Sequence, residues 1–232
     1  MTDARRWMEH GTQLFLSGVT GLDDAGVAAP SGLPGWGRRH LLAHVAANAE
    51  ALRNLVHWAE TGEETPMYAS SDARARGIEE GSQLPAATLL AWPRSSAEKL
   101  DAAMASLSDE QWAQLIVTAQ GRTVPATEIP WMRAREVCVH AVDLGTGVTF
   151  ADLPADFLVA LGNDIVGKRS AVPGVALRLE AADASAVWDL PGADAPVSVT
   201  GPLADLVAYL SGRPHDLSTT DGSPVPVLPA WL

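Results

Sequence analysis

The chain has 232 residues, and its 16 Lys and Arg stand against 28 Asp and Glu for a formal net charge of −12. That balance argues against nucleic acid or an anionic membrane as the main partner, and it requires any anionic small ligand to be held by local cations. With 47% apolar residues, no run near the roughly 20 needed to span a bilayer, no signal-like N-terminus and one cysteine, Cys138, the expectation is a soluble, cytoplasmic protein without disulfides.

The first 150 residues read as helical. Trp7, Met8, Leu14, Phe15 and Val19 give a helical period over about 3–20, followed by a turn-rich stretch through Pro30 to Gly37. A longer helix is predicted over 38–60, with Leu41, Val45, Leu52, Leu55 and Trp58 in one apolar stripe and Gly62 just past its end. Residues 63–84 are polar and are expected to form a long surface loop with a short helix around 73–79; loops of that length are often functional. A third helix follows Pro85 over about 86–106, and Ser108 with Gln111 forms a capping box for a short turn carrying Trp112. Residues 116–125, with β-branched residues around Gln120-Gly121, suggest a small hairpin or an extended connection. A fourth helix begins near Thr127, takes Pro130 in its first turn, and ends at Gly145 or Gly147. Four helices with one excursion predict an antiparallel bundle over 1–150.

The pattern changes after residue 150. A helix over 156–168, short strands over 175–180, 186–190 and 197–200, and a last helix over 203–211 describe a smaller α/β domain, 151–232, with Gly and Pro punctuation at 173–174, 191–192 and 201–202. The fold class is therefore α+β.

The chemistry concentrates in one segment, Arg133 to Gly145. Glu136 and His140 lie four apart and so share a helix face, a spacing that lets carboxylate and imidazole bind one metal ion; an exposed or interhelical hydrogen-bonded pair is the alternative. The flanking Val137, Val139, Ala141, Val142 and Leu144 make their burial costly unless they are paired or metal-bound. His44, set between Leu41 and Val45 in the stripe of the second helix, is a better third ligand than His40, which sits beside Arg38 and Arg39. Two histidines and a carboxylate would leave an open coordination position, as in catalytic zinc sites, although His44 also reads as a half-buried residue with satisfied nitrogens. Cys138 is two residues from both Glu136 and His140, roughly 200° around the helix, so it is a core residue and not a nucleophile.

The runs GWGRRHLLAHVAANAEAL, HWAETGEETPMY, TAQGRTVPATE and WMRAREVCVHAVDLG, continuing through AYLSGR to the terminal WL, resemble the mycothiol-dependent maleylpyruvate isomerases of the DinB-like metalloenzyme superfamily. The resemblance covers essentially the whole chain. It implies a four-helix DinB-like bundle binding Zn2+ through His44, Glu136 and His140, a smaller C-terminal α/β domain, and Arg213 as a catalytic arginine after the last helix. It further implies that mycothiol binds zinc through sulfur, adds to the alkene of maleylpyruvate, allows rotation and is eliminated to leave fumarylpyruvate, as in gentisate degradation. The two substrate carboxylates need arginines, for which Arg74 and Arg122 join Arg213. Other readings are a mycothiol S-transferase or thiol-dependent detoxification enzyme on the same scaffold, or a metal-binding regulatory module.

Overall fold

The computed structural model describes residues 2–171 and 174–231. The turn expected at 173–174 falls partly, and the terminal Leu232 wholly, outside the described residues. The fold is α+β, and its contacts divide into two compact units, one ending at Val148 and one beginning at Thr149.

The first unit is built on four long helices: α1 (Thr2–Val19), α3 (Arg38–Thr61), α5 (Ala86–Ala105) and α7 (Ile129–Asp143). Helix α1 packs along α7, α7 along α3 and α3 along α5, while α1 and α5 meet only sparsely. Of the stripe read on α3, Leu41, Val45, Leu52 and Leu55 are fully buried, and Trp58 is half-buried. The helix stops at Gly62, whose φ of 76° is left-handed and whose N–H caps the Trp58 carbonyl. Proline 130 sits in the first turn of α7, where a missing N–H costs nothing.

Two shorter helices depart from the sequence expectation. Helix α2 (Asp24–Ala28), capped by Asp23, occupies part of what reads as a turn. Helix α4 (Ser71–Ser82) is longer than the helix expected at 73–79. Its apolar content is too low for the period to show, but Ser70 accepts from the Ala73 N–H as an N-cap, and the helix leans on α3. Arg39 of α3 donates to the carbonyls of Ser82 and Leu84 and fixes the far end of α4. Beyond α5, Ser108 and Gln111 form the capping box of α6 (Asp109–Trp112). Strands β1 (Leu115–Val117) and β2 (Thr123–Pro125) then pair as a hairpin that turns at Gly121, φ 75°.

The second unit contains α8 (Ala155–Arg169), a mixed sheet and α9 (Leu203–Leu210). Strand β3 (Leu177–Ala181) is central, antiparallel to β4 (Val187–Leu190) and parallel to β5 (Val197–Gly201). Alternate residues of β3 are buried, as a half-covered sheet requires. Trp188 of β4 hydrogen-bonds Asn163 of α8 at 2.7 Å. Among the described residues no helix is long and apolar enough to cross a membrane.

Where α1 crosses α7, a Cβ on Gly11 would stand 2.9 Å from the Cys138 backbone nitrogen and 2.5 Å from its Sγ. Alanine would gain about 1 kcal/mol of helix propensity, but overpacking costs about 1–3 kcal/mol, so the clash should win. Gly11→Ala should therefore lower the denaturant midpoint, and a raised midpoint would show that α1 can move away from α7.

Candidate metal centre

The polar cluster lies where the N-terminal half of α3 meets the C-terminal half of α7. Arg38, the first residue of α3, brings these ends together by donating to the carbonyls of Leu144 (2.8 Å) and Gly145 (2.7 Å), just past the end of α7, and of Gly26 (3.0 Å). A guanidinium there satisfies carbonyls left open by the helix end and complements its dipole. Between Arg38 and the core, His44 enters from α3, and Glu136 and His140 enter from one face of α7.

Glu136 Oε2 is 2.9 Å from His44 Nε2 and 3.4 Å from His140 Nε2. The two imidazoles stand nearly perpendicular at 84°, with centroids 4.9 Å apart. One donor atom from each residue lies within 4.8 Å of the others. A tetrahedral cation with nitrogen and oxygen ligands at about 2.0–2.2 Å keeps them about 3.3 Å apart, so the donor set fits a divalent ion such as zinc. Glu136 keeps 26% of its side chain accessible whereas His44 keeps 5%, so the open side of the group is the carboxylate side.

Surrounding residues orient the three. His140 Nδ1 donates to Asp143 Oδ2 at 2.8 Å, leaving Nε2 directed at Glu136. A carboxylate behind a histidine in this way sets ring orientation and basicity in metal sites. Asp143 is itself buried, and its backbone carbonyl accepts from the Gly32 N–H at 2.6 Å. Trp36 lies edge-on to His44 at 5.4 Å and stacks on His40 at 6.3 Å. From α4, Arg74 reaches to 3.4 Å from His44 Nδ1 while its guanidinium lies 5.9 Å from the Tyr68 ring centre.

The charges are strongly coupled. Burial pushes the Glu136 carboxyl up, but the imidazoles, His44 foremost, outweigh it and hold the group well below the ordinary carboxylate range. Burial also opposes protonation of His140, yet hydrogen bonds to Asp143 and then Glu136 push it up to about 9. For His44 burial prevails over the pull of Glu136, and its pKa falls below the ordinary value. Cys138 is buried on the other side of α7, its Sγ 3.5 Å from the Trp7 carbonyl, and burial pushes its thiol up to about 12.

Of the arginines singled out from sequence, Arg74 adjoins His44, and Arg122 is exposed at the β1–β2 turn. Arg213 belongs to the second unit, where it follows the left-handed Gly212 (φ 75°); its N–H caps the Ala208 carbonyl and its Nη1 donates to Ser211 O at 2.6 Å. Asp143, Trp36, Tyr68 and Arg38 had no assigned role in the sequence reading. Only Asp143 carried a usable signal, its three-residue spacing from His140.

A long-helix bundle with a histidine–glutamate–histidine group between two facing helices is an arrangement in which bundle proteins can hold a metal ion. Residues 8–145 match the family described as the mycothiol maleylpyruvate isomerase N-terminal domain. The crystal structure of the mycothiol-dependent maleylpyruvate isomerase superposes with a TM-score of 0.94 at 41% identity, covering 99% of this chain and 96% of that one. The structure of a mutant of that isomerase with a histidine replaced by alanine matches at 0.94 and 40% identity over the same shares. A search of the curated proteins finds no match. The chain belongs to the mycothiol-dependent maleylpyruvate isomerase family.

The coupled group dictates a pH response. A His140 pKa raised to about 9 adds stability that is complete below the ordinary value near 6.5 and is lost as pH rises toward 9. The depressed Glu136 adds stability that is lost only on acidification, and the lowered His44 acts below about pH 6.5 with the opposite sign to His140. Without divalent cations, the unfolding temperature should fall between about pH 6.5 and 8.5, below the range where the Cys138 thiol contributes, and His140→Asn should flatten that fall. A wild-type protein with no such slope would contradict the protonated imidazole.

Proposed function

We propose that the protein is a zinc- and mycothiol-dependent enzyme that isomerises maleylpyruvate to fumarylpyruvate. The observation that carries this reading is the compact group of His44, Glu136 and His140, with Asp143 behind it, in a chain of this family. His44, Glu136 and His140 would hold the metal. When bound, zinc would lower the pKa of a thiol and mycothiol would supply the sulfur nucleophile, whose reversible addition to a conjugated alkene permits rotation about the former double bond.

The protein's residues have complementary tasks. Asp143 keeps the His140 proton on Nδ1, so that Nε2 can act as a ligand. Trp36 closes one side of His44 and limits its ring motion and water access. Glu136, the most accessible of the three, balances the charge of a divalent ion beside the opening. The Cys138 thiol stays protonated at neutral pH and behind α7, so it does not compete as a nucleophile. Arg74 offers a guanidinium next to the group for one substrate carboxylate, and Arg213 and Arg122 are the further cations proposed for the dianion. In a chain of net charge −12, such local cations must overcome an unfavourable background.

The deciding assay follows maleylpyruvate with and without mycothiol. Fumarylpyruvate should form only with the thiol; no turnover, with conjugation of a test electrophile instead, would move the assignment to a transferase. His44→Ala should lower the zinc content of the purified protein, and unchanged stoichiometry would remove His44 from the ligand set. Arg74→Ala and Arg213→Ala should retain zinc and lose about 10–100-fold in kcat/KM, the range expected for a lost charge-assisted contact. Wild-type kinetics in either variant would exclude that arginine.

A further inference from the structure

Helices α1 and α5 flank an open cleft of about 210 Å3 that the proposed reaction does not use. Its walls include Met8 and Leu16 from α1 and Ala97, Leu100 and Met104 from α5, with Arg133 of α7 at its inner end. At one end of the same helix pair, Arg5 bridges α1 to the Met104 carbonyl at 3.5 Å. The cavity follows from the packing already described, in which α1 follows α7 and α5 follows α3 without closing on each other.

Arg133 is 2% exposed, yet both of its hydrogen bonds leave from one nitrogen, Nη1, to Val45 O and Asn48 Oδ1 at 2.8 Å each. These acceptors are neutral, and among the described residues no carboxylate forms an ion pair with the guanidinium. Glu136, one turn further along α7 and hydrogen-bonded to the two histidines, is the main charge that offsets the cost of burying the guanidinium, without pairing directly with it. Arg133, with Nε and Nη2 outside its two hydrogen bonds, lines a cleft whose walls are Met8, Leu16, Ala97, Leu100 and Met104 together with the polar Thr12 and Gln13, a lining suited to an anionic head on an apolar body. Glu9, Glu98 and Asp101 lie exposed around the cavity against Arg94 alone, an arrangement that repels a second negative charge at the far end of a ligand.

We infer that the α1/α5 cleft is a second ligand site, which binds an aliphatic monocarboxylate with its carboxylate on Arg133 and its chain against Met8, Leu16, Leu100 and Met104. The cleft shares α7 with the candidate metal centre but takes its walls from α1 and α5, and its chemistry differs. It selects a monoanion with an apolar tail, whereas the proposed substrate is a short dianion.

Titration calorimetry of the purified protein with hexanoate tests the inference, with hexylamine and maleate as comparison probes. Hexanoate should bind saturably, hexylamine should not, and maleate should not compete with it. Arg133→Met should abolish binding. Because Arg133 also clamps α7 to α3 and its loss could unfold the bundle, Ala97→Trp, which fills the cleft and spares the arginine, serves as the second variant and should weaken hexanoate by about tenfold or more. His44→Ala should leave hexanoate binding unchanged, which separates this site from the metal centre and from any failure of the isomerase reading. Absence of hexanoate binding, undiminished binding in Ala97→Trp, loss of binding in His44→Ala, preference for hexylamine or competition by maleate would each overturn the inference.

Discussion

The arrangement of the first unit depends on a carboxylate held between two imidazoles inside an apolar helix interface. Glu136 alone in that position would face a desolvation penalty of several kcal/mol and would protonate. With His44 on one side and His140 on the other it stays ionised, and one donor atom from each of the three lies within 4.8 Å of the others. The same mutual dependence makes the group sensitive, because removing one histidine leaves a buried charge with half its partners.

The rest of the bundle can be read as support for that contact. Arg38 fastens the start of α3 to the end of α7, so that His44 and His140 face each other across a fixed gap. Arg133 adds a second tie one turn before Glu136, to the Val45 carbonyl and Asn48. Gly11 lets α1 approach the far side of α7 closely enough to bury Cys138. Precision at the site thus comes from backbone-directed hydrogen bonds of two arginines and one close helix crossing, with side-chain packing filling the remainder.

The long helices and the Glu136–His140 step were legible in the sequence because each rests on local periodicity. The stripe of α3, the stop at Gly62, the Ser108–Gln111 capping box and the four-residue step from Glu136 to His140 are short-range signals. Helix α4 was only partly legible, since its existence depends on the Ser70 cap and on contacts to α3 that a polar segment does not advertise. The tasks of Arg38 and Arg133 were not legible. Both act through carbonyls distant in sequence, and an arginine in a helix looks the same whether it is solvated or clamped. Asp143 illustrates the intermediate case: its spacing from His140 is visible, while its burial, which gives the contact its strength, is a tertiary property.

The lone cysteine and the acidic charge acquire meaning from the site. A thiol pushed up to about 12 and turned into the core is a poor source of thiolate at neutral pH, so under the proposed function the nucleophilic sulfur would arrive with mycothiol. X-ray absorption at the zinc edge of the purified protein, recorded before and after mycothiol is added, tests this division of labour most directly. The account predicts a first shell of two imidazole nitrogens and carboxylate oxygen that gains one sulfur neighbour at about 2.3 Å with mycothiol. A zinc shell unchanged by mycothiol, or one already containing protein sulfur, would contradict it.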